Sequence, residues 1–129
     1  MPGFVEHFRD LDVYKEALAG SGEIFKLSRR WPHEEKRSLT DQIRRCSRSV
    51  CANIAEAWDK RFYPKHFASK LTDAKSEASE VQSWLDIARN DAIISPESYR
   101  HLDQLYAKIK GGLTKMIRNP DRWSIPPKR

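Results

Sequence analysis

Long apolar runs are missing from this 129-residue chain. No stretch approaches the roughly 20 apolar residues that cross a bilayer, so no membrane span is expected. The opening MPGFVEHFRD has no basic start followed by an apolar segment, so no secretory signal is expected and the cytoplasm is the expected location. Cysteine is scarce: only Cys46 and Cys51 are present. Five residues apart on a helical stretch, they stand about 140° apart at roughly 100° per residue and cannot pair without breaking the helix. They read as small buried thiols in a reducing compartment. His7, His33, His66 and His101 share no metal-ligand spacing with cysteines or carboxylates. Glu56, Glu77 and Glu80 fall on neighbouring helices, but a two-metal carboxylate site needs Glu-x-x-His pairs, which the sequence lacks. The only glycine pair, Gly111-Gly112, follows no strand and makes no phosphate loop. No Ser/His/Asp or Cys/His set has the context of a nucleophile. The expectation is a protein with no metal, no cofactor and no catalytic residue, and not an enzyme. Period-two strands, internal repeats and low-complexity segments are also absent.

Charge is plentiful. Hydrophobic residues make up 39% and charged residues 33%, which leaves a modest core under a highly charged surface. The net charge of +6 is uneven. Residues 26–70 carry 12 Lys and Arg against 5 Asp and Glu, and residues 111–129 carry 5 against 1. Residues 1–25 and 71–110 are net acidic. A phosphate backbone is the commonest partner for such basic segments; a solvated face that maintains solubility is the alternative.

The chain is organised around Leu39 to Trp58. Leu39, Ile43, Cys46, Val50, Ile54 and Ala57 recur in steps of four and three, one face of a helix. Gln42, Ser49, Asn53 and Glu56 form a polar row on one flank. Thr40, Ser47, Cys51 and Ala55 form a small-residue flank on the other, with Trp58 at the end. Arg44, Arg45 and Arg48 point away from the core face. An earlier helix starts at Asp10 as N-cap, with Leu11, Tyr14, Leu18, Ser21 and Phe25 as its stripe and Val13, Ala17 and Ile24 widening it. Gly20 and Gly22 permit a close contact or form a weak point. The helix stops before Trp31-Pro32, and residues 32–38 connect, with one short helical turn. Pro64 opens a third helix whose stripe is Phe67, Leu71, Ala74, Ala78, Val81, Leu85 and Ala88, with Trp84 at its edge. Ser95-Pro96-Glu97 starts a fourth, carrying Tyr99, Leu102, Tyr106, Ile109, Leu113 and Met116; Gly111-Gly112 bends or loosens it. Phe4 and Phe8 are candidate anchors of an N-terminal arm, and Trp123 and Ile125 of the tail. The expected architecture is all-α: one domain over 1–129, with helices over 10–29, 39–60, 64–90 and 96–118 and a basic tail over 119–129. Short links between four such helices imply an up-down-up-down antiparallel four-helix bundle.

Two groups of residues stand out for function. Arg44, Arg45 and Arg48, followed by Lys60, Arg61 and Lys65, are candidates for phosphate contact, with no base-reading motif beside them. Phe62 and Tyr63 lie among these cations and either stack on bases or pack against the end of the bundle. Gln42, Ser49, Asn53, Glu56 and, on the third helix, Glu80 read as a polar network or subunit interface. Buried polar groups need partners, since an unmade bond costs about 1–3 kcal/mol.

Gln42-Ile43-Arg44-Arg45, Ser49-Val50 and Asn53-Ile54-Ala55-Glu56 together resemble the QIRRA–SI–NIAEG signature of the bacterial four helix bundle protein family, also called rRNA intervening-sequence or S23 proteins. Phe8-Arg9-Asp10-Leu11-Asp12-Val13-Tyr14-Lys15 is similar to the family's opening. Trp31-Pro32-x-x-Glu35 is similar to its first connection, and Ala78-x-Glu80-Val81-Gln82-x-Trp84-Leu85 to its third helix. Ala57 and Ser76-Glu77 depart from it, standing where many members have Gly and Gly-Ser. The resemblance covers residues 8–117. It implies a left-handed bundle, assembly into a ring of subunits (a homopentamer), and a basic surface suited to nucleic acid. The related accessory variability proteins of diversity-generating retroelements bind nucleic acid and assist a reverse transcriptase, which makes such an enzyme a further candidate partner. The leading expectation is a non-enzymatic, oligomeric protein that binds RNA or other nucleic acid through the basic face of the second helix. The alternative is an oligomeric scaffold for a protein partner, without nucleic acid.

Overall fold

The computed structural model describes residues 5–125. Four long helices, α1 (Asp12–Ser28), α2 (Leu39–Asp59), α3 (Pro64–Asn90) and α4 (Pro96–Arg118), are followed by a single turn, α5 (Pro120–Trp123). Two 3-10 turns, Phe8–Asp10 and His33–Glu35, precede α1 and α2. Among the described residues there is no strand. α2 packs on α1 and α3, and α4 packs on α3 and α1, while the backbones of the diagonal pairs stay apart. Cross-links join late residues of one helix to early residues of the next. Arg44 Nε donates to Ser28 Oγ at 2.8 Å, Lys70 Nζ meets Glu56 at 2.6 Å and Tyr99 Oη donates to Asp86 Oδ1 at 2.6 Å. On the closing side His101 Nε2 lies 3.0 Å from Glu23, and Lys108 Nζ lies 3.0 Å from Glu16. The helices therefore run up, down, up and down around one core.

Spacing accounts for three of the four helices. The α2 stripe is buried throughout, and Thr40, Ser47 and Cys51 on its small flank are buried too, so α1 comes close and Ser47 Oγ reaches Ser21 Oγ at 3.4 Å. All seven stripe residues of α3 are buried, and three of them are alanines, which bring the neighbouring backbone near. In α4, Leu102, Tyr106, Ile109, Leu113 and Met116 are buried. Ser95 caps α4 by accepting the Ser98 N–H at 3.1 Å, with Pro96 opening the first turn. At the α3–α4 turn Ala92 adopts φ 58°, a left-handed conformation that costs a non-glycine residue about 1–2 kcal/mol.

α1 departs from the sequence expectation twice. It begins after Leu11 rather than at Asp10, because Phe8–Asp10 forms a 3-10 turn in which His7 Nδ1 accepts the Arg9 N–H at 3.3 Å. Leu11 then sits in the core at the N-cap position, with no side-chain cap. The helix is also rotated. Its buried row is Val13, Ala17, Gly20, Ile24 and Ser28, while Leu18 is 55% and Phe25 40% exposed. Gly20 explains the rotation. The Tyr106 ring lies on it so closely that a Cβ there would stand 2.8 Å from Tyr106 Oη. α4 repeats the device in reverse: a Cβ on Gly112 would stand 2.6 Å from Val13 Cγ1, and α4 runs through the glycine pair as continuous helix. Gly22 and Gly111 face open space.

The ends dock as well. Phe8 packs edge-on against Tyr14 with ring centres 4.9 Å apart. Trp123 meets Trp58 at 6.2 Å, and the Ile125 N–H donates to the Arg61 carbonyl at 3.1 Å. Phe4 and the last residues of the tail, 126–129, lie outside the described residues.

The glycines yield a paired prediction. Gly20→Ala and Gly112→Ala force overpacking and should lower unfolding stability by about 1–3 kcal/mol, less the helix-propensity gain of about 1 kcal/mol. Gly22→Ala and Gly111→Ala carry only that gain and should raise stability. Denaturant unfolding of the four variants measures both signs.

Candidate nucleic-acid interface

Helical periodicity alone points Arg44, Arg45 and Arg48 outward, but their long side chains end in different places. Arg44 reaches across to α1, donating to Ser28 Oγ at 2.8 Å and to the Phe25 carbonyl at 3.5 Å. It thereby adds a second side-chain donor to a carbonyl in the last turn of α1, which Ser28 Oγ reaches at 3.2 Å. Its guanidinium stands 4.7 Å from the Phe25 ring centre, and those of Arg29 and Arg48 stand at 5.8 and 5.9 Å. Three cations thus share one half-exposed aromatic ring. Among the described residues none of the three is in an ion pair. Arg45 turns the other way and pairs with Asp41, one turn earlier, at 3.0 Å. The sequence reading missed Phe25 and Arg29, because Phe25 fits the apolar stripe of α1; the available signal was an arginine four residues after an aromatic.

Lys60, Arg61 and Lys65 lie at the opposite end of the bundle, roughly 20 Å along the α2 axis at 1.5 Å per residue. The six cations therefore form two groups. Arg61 folds inward: its Nε donates to the Trp58 carbonyl at 2.7 Å and its guanidinium stands 3.5 Å from the Trp58 ring centre. Burial pulls its pKa down from the ordinary arginine value, with Asp59 opposing. Lys60 and Lys65 are exposed. Phe62 and Tyr63 do not fill the end of the bundle; they are 48% and 64% exposed. Trp58 and Trp123 fill it instead.

Residues 9–115 match the family model of the 23S rRNA-intervening sequence protein. The chain belongs to that family. A solved relative is a protein of unknown function from the S23 ribosomal protein family of Bacteroides thetaiotaomicron. It is 28% identical, superposes with a TM-score of 0.75, and the match covers 82% of this chain and 95% of that one. No curated protein matches the chain.

In this member of the rRNA-intervening sequence family the polar row of α2 meets α3. Its contacts are pairwise and do not join into one network among the described residues. Asn53 Nδ2 donates back to Ser49, at 2.9 Å to its carbonyl and 3.1 Å to its hydroxyl. Glu56 pairs across the helices with Lys70, whose own pKa rises through that hydrogen bond. Glu80 accepts the Trp84 Nε1–H at 3.2 Å, and Gln42 is half-buried. Burial raises the Glu77 carboxyl above the ordinary glutamate range, with Glu80 and Asp73 adding repulsion. This flank is acidic, and the α1–α2 flank is basic. No helix is long and apolar enough to cross a membrane, and no group of three His, Cys, Asp or Glu residues is placed to hold a metal, among the described residues.

The two thiols are buried between these flanks. Burial lifts Cys46 to about 12, with Glu80 and Glu77 adding, and Cys51 to about 11. Thiolate, the reactive form, is therefore scarce in the folded chain. Both cysteines should be silent toward a disulfide-exchange reagent at pH 8 and should titrate fully once the chain is unfolded in denaturant.

Proposed function

We propose that this chain is a non-enzymatic, oligomeric nucleic-acid-binding protein that holds RNA through its phosphates. The observation that carries the reading is the gathering of Arg29, Arg44 and Arg48 around Phe25 without a carboxylate partner among the described residues. Cations placed together without a carboxylate repel one another, and an anionic ligand relieves that repulsion. Lys60 and Lys65 supply a second contact point on the same chain. The family's description, which ties it to intervening sequences of 23S rRNA, supports RNA as the polymer.

A second observation favours contact between copies. The acidic α2–α3 flank, with Asp73, Glu77 and Glu80, and the basic α1–α2 flank are complementary faces on different sides of one chain. Complementary faces of this kind join head to tail and close into a ring when the rotation permits; five subunits is the number the family resemblance implies. If assembly were the whole function, the chain would be a scaffold for a protein partner and would ignore RNA.

The variant Arg45→Glu/Arg48→Glu spares the Arg44 bonds to α1. It should weaken binding of a mixed-sequence RNA at least tenfold at low salt and flatten the dependence of log K on log salt by about 0.7 per lost phosphate contact. Wild-type affinity in this variant would remove α2 from the phosphate site. Light scattering of the wild-type chain, with and without RNA at low and high salt, separates the readings. A defined mass that gains RNA only at low salt supports nucleic-acid binding, and a defined mass that never gains RNA supports the scaffold. Glu77→Lys/Glu80→Lys should lower the mass of the assembly.

A further inference from the structure

The fold places two basic stretches, some sixty residues apart in sequence, at one end of the bundle. The link is a ladder of rings and cations. Arg61 stacks on Trp58 at 3.5 Å, Trp58 meets Trp123 edge-on at 6.2 Å, and Arg122 stands 5.2 Å from the Trp123 ring. The Ile125 N–H bonded to the Arg61 carbonyl secures the tail across the α2–α3 joint. Arg61 is consumed in this ladder. Lys60, Lys65 and Arg122 remain exposed around it, outside any ion pair among the described residues.

The joint itself is stiff. The Tyr63 N–H donates to the Lys60 carbonyl at 2.9 Å, closing a turn. Pro64 holds Tyr63 out of the helical region, at φ −124° and ψ 89°. The Tyr63 ring leans on His66, with centres 5.5 Å apart and planes at 34°. Phe62 and Tyr63 belong neither to the core nor to the residues packed on it. Two aromatic rings are thus held out to solvent, between lysines, by a turn with little freedom left to lose. An apolar protein partner covering these rings would also desolvate Lys60 and Lys65. A nucleic-acid strand answers both features, with bases on the rings and phosphates on the cations. A duplex stacks its bases on one another and offers the rings none.

We propose that the joint end of the bundle is a binding surface for single-stranded nucleic acid, in which bases stack on Phe62 and Tyr63 while Lys60, Lys65 and Arg122 hold phosphates. The assignment rests on the nucleic-acid reading above and deepens it. Stacking is worth enough per base that removing both rings costs about tenfold or more in affinity.

The test uses the full chain and a labelled mixed-sequence RNA of about a dozen nucleotides, a length within the range such surfaces cover. Fluorescence anisotropy is read for the single strand, for the same strand annealed to its complement, and for the DNA strand of the same sequence. The wild-type chain should bind both single strands more tightly than the duplex. Phe62→Ala/Tyr63→Ala should lose about tenfold or more on the single strands, with unchanged duplex affinity and an unchanged melting curve. Phe62→Trp should retain single-strand binding. Wild-type affinity in the double alanine variant overturns the stacking surface, while a loss confined to Arg45→Glu/Arg48→Glu keeps the phosphate reading alive without it. A wild-type chain that binds neither form overturns both proposals. A double alanine variant whose assembly mass falls shows the rings buried between copies, which also overturns this assignment.

Discussion

Close packing against α2 is the constraint from which the rest of the structure follows. The helix is buried on its stripe and again on its small-residue flank, and it can be so only because its neighbours present small residues. Ala74 and Ala78 stand in the middle of the α3 row, and Ser21 on α1 faces Ser47. The same device recurs where α1 and α4 meet, with Gly20 beneath the Tyr106 ring and Gly112 beside Val13. Where backbones approach this closely, bulky or charged side chains must stand on the flanks. That exclusion leaves the flanks to the charges, and the sequence sets their sign: Arg29, Arg44 and Arg48 on the α1–α2 side, Asp73, Glu77 and Glu80 on the α2–α3 side.

Charge within the basic segments is then sorted by side-chain reach. Arg44 and Arg61 are both drawn onto helix ends, where each donates to a backbone carbonyl and lies against a ring. Their planar guanidinium groups suit that double duty. Lys60 and Lys65, whose compact ammonium groups are strongly hydrated, stay in water. The residues most committed to the fold are therefore arginines that the sequence pattern alone would place on the binding face. A substitution at Arg44 or Arg61 mixes stability with binding; one at Arg48, Lys60 or Lys65 does not touch these carbonyl bonds.

The α3 row was legible because Phe67 to Ala88 keeps strict steps of four and three, with few competing apolar residues beside it. The Ser95-Pro96 start was legible because its chemistry is local. α1 was not, because apolar residues surround it: Leu18 and Phe25 compete with Val13 and Ile24, and the choice falls to Gly20. Glycine adds nothing to a hydrophobic pattern, so the position that decides the rotation is silent in one. The polar row of α2 lies on a flank, but which of its members touch depends on side-chain length: Asn53 bonds back to Ser49 one turn earlier, and Glu56 reaches across to Lys70 instead of joining them. Spacing also fixes where a side chain leaves the helix and not where it ends, which is why Arg44, Arg45 and Arg48 look equivalent in sequence and diverge in space.

The end of the bundle shows most clearly what sequence order conceals. The joint after α2 and the tail after α4 are each basic and aromatic, and either alone reads as a solvated connection. Antiparallel packing puts the end of α2 and the end of α4 at the same pole, so the two become neighbours. Trp58 and Trp123 then cover the core from that side, and this relieves Phe62 and Tyr63 of the task. Rings that are not needed for the core, fixed by Pro64 and flanked by lysines, are left with an unpaired apolar surface in a cationic setting. That combination is unfavourable facing water alone, and single-stranded nucleic acid is the ligand chemistry that satisfies the rings and the cations together.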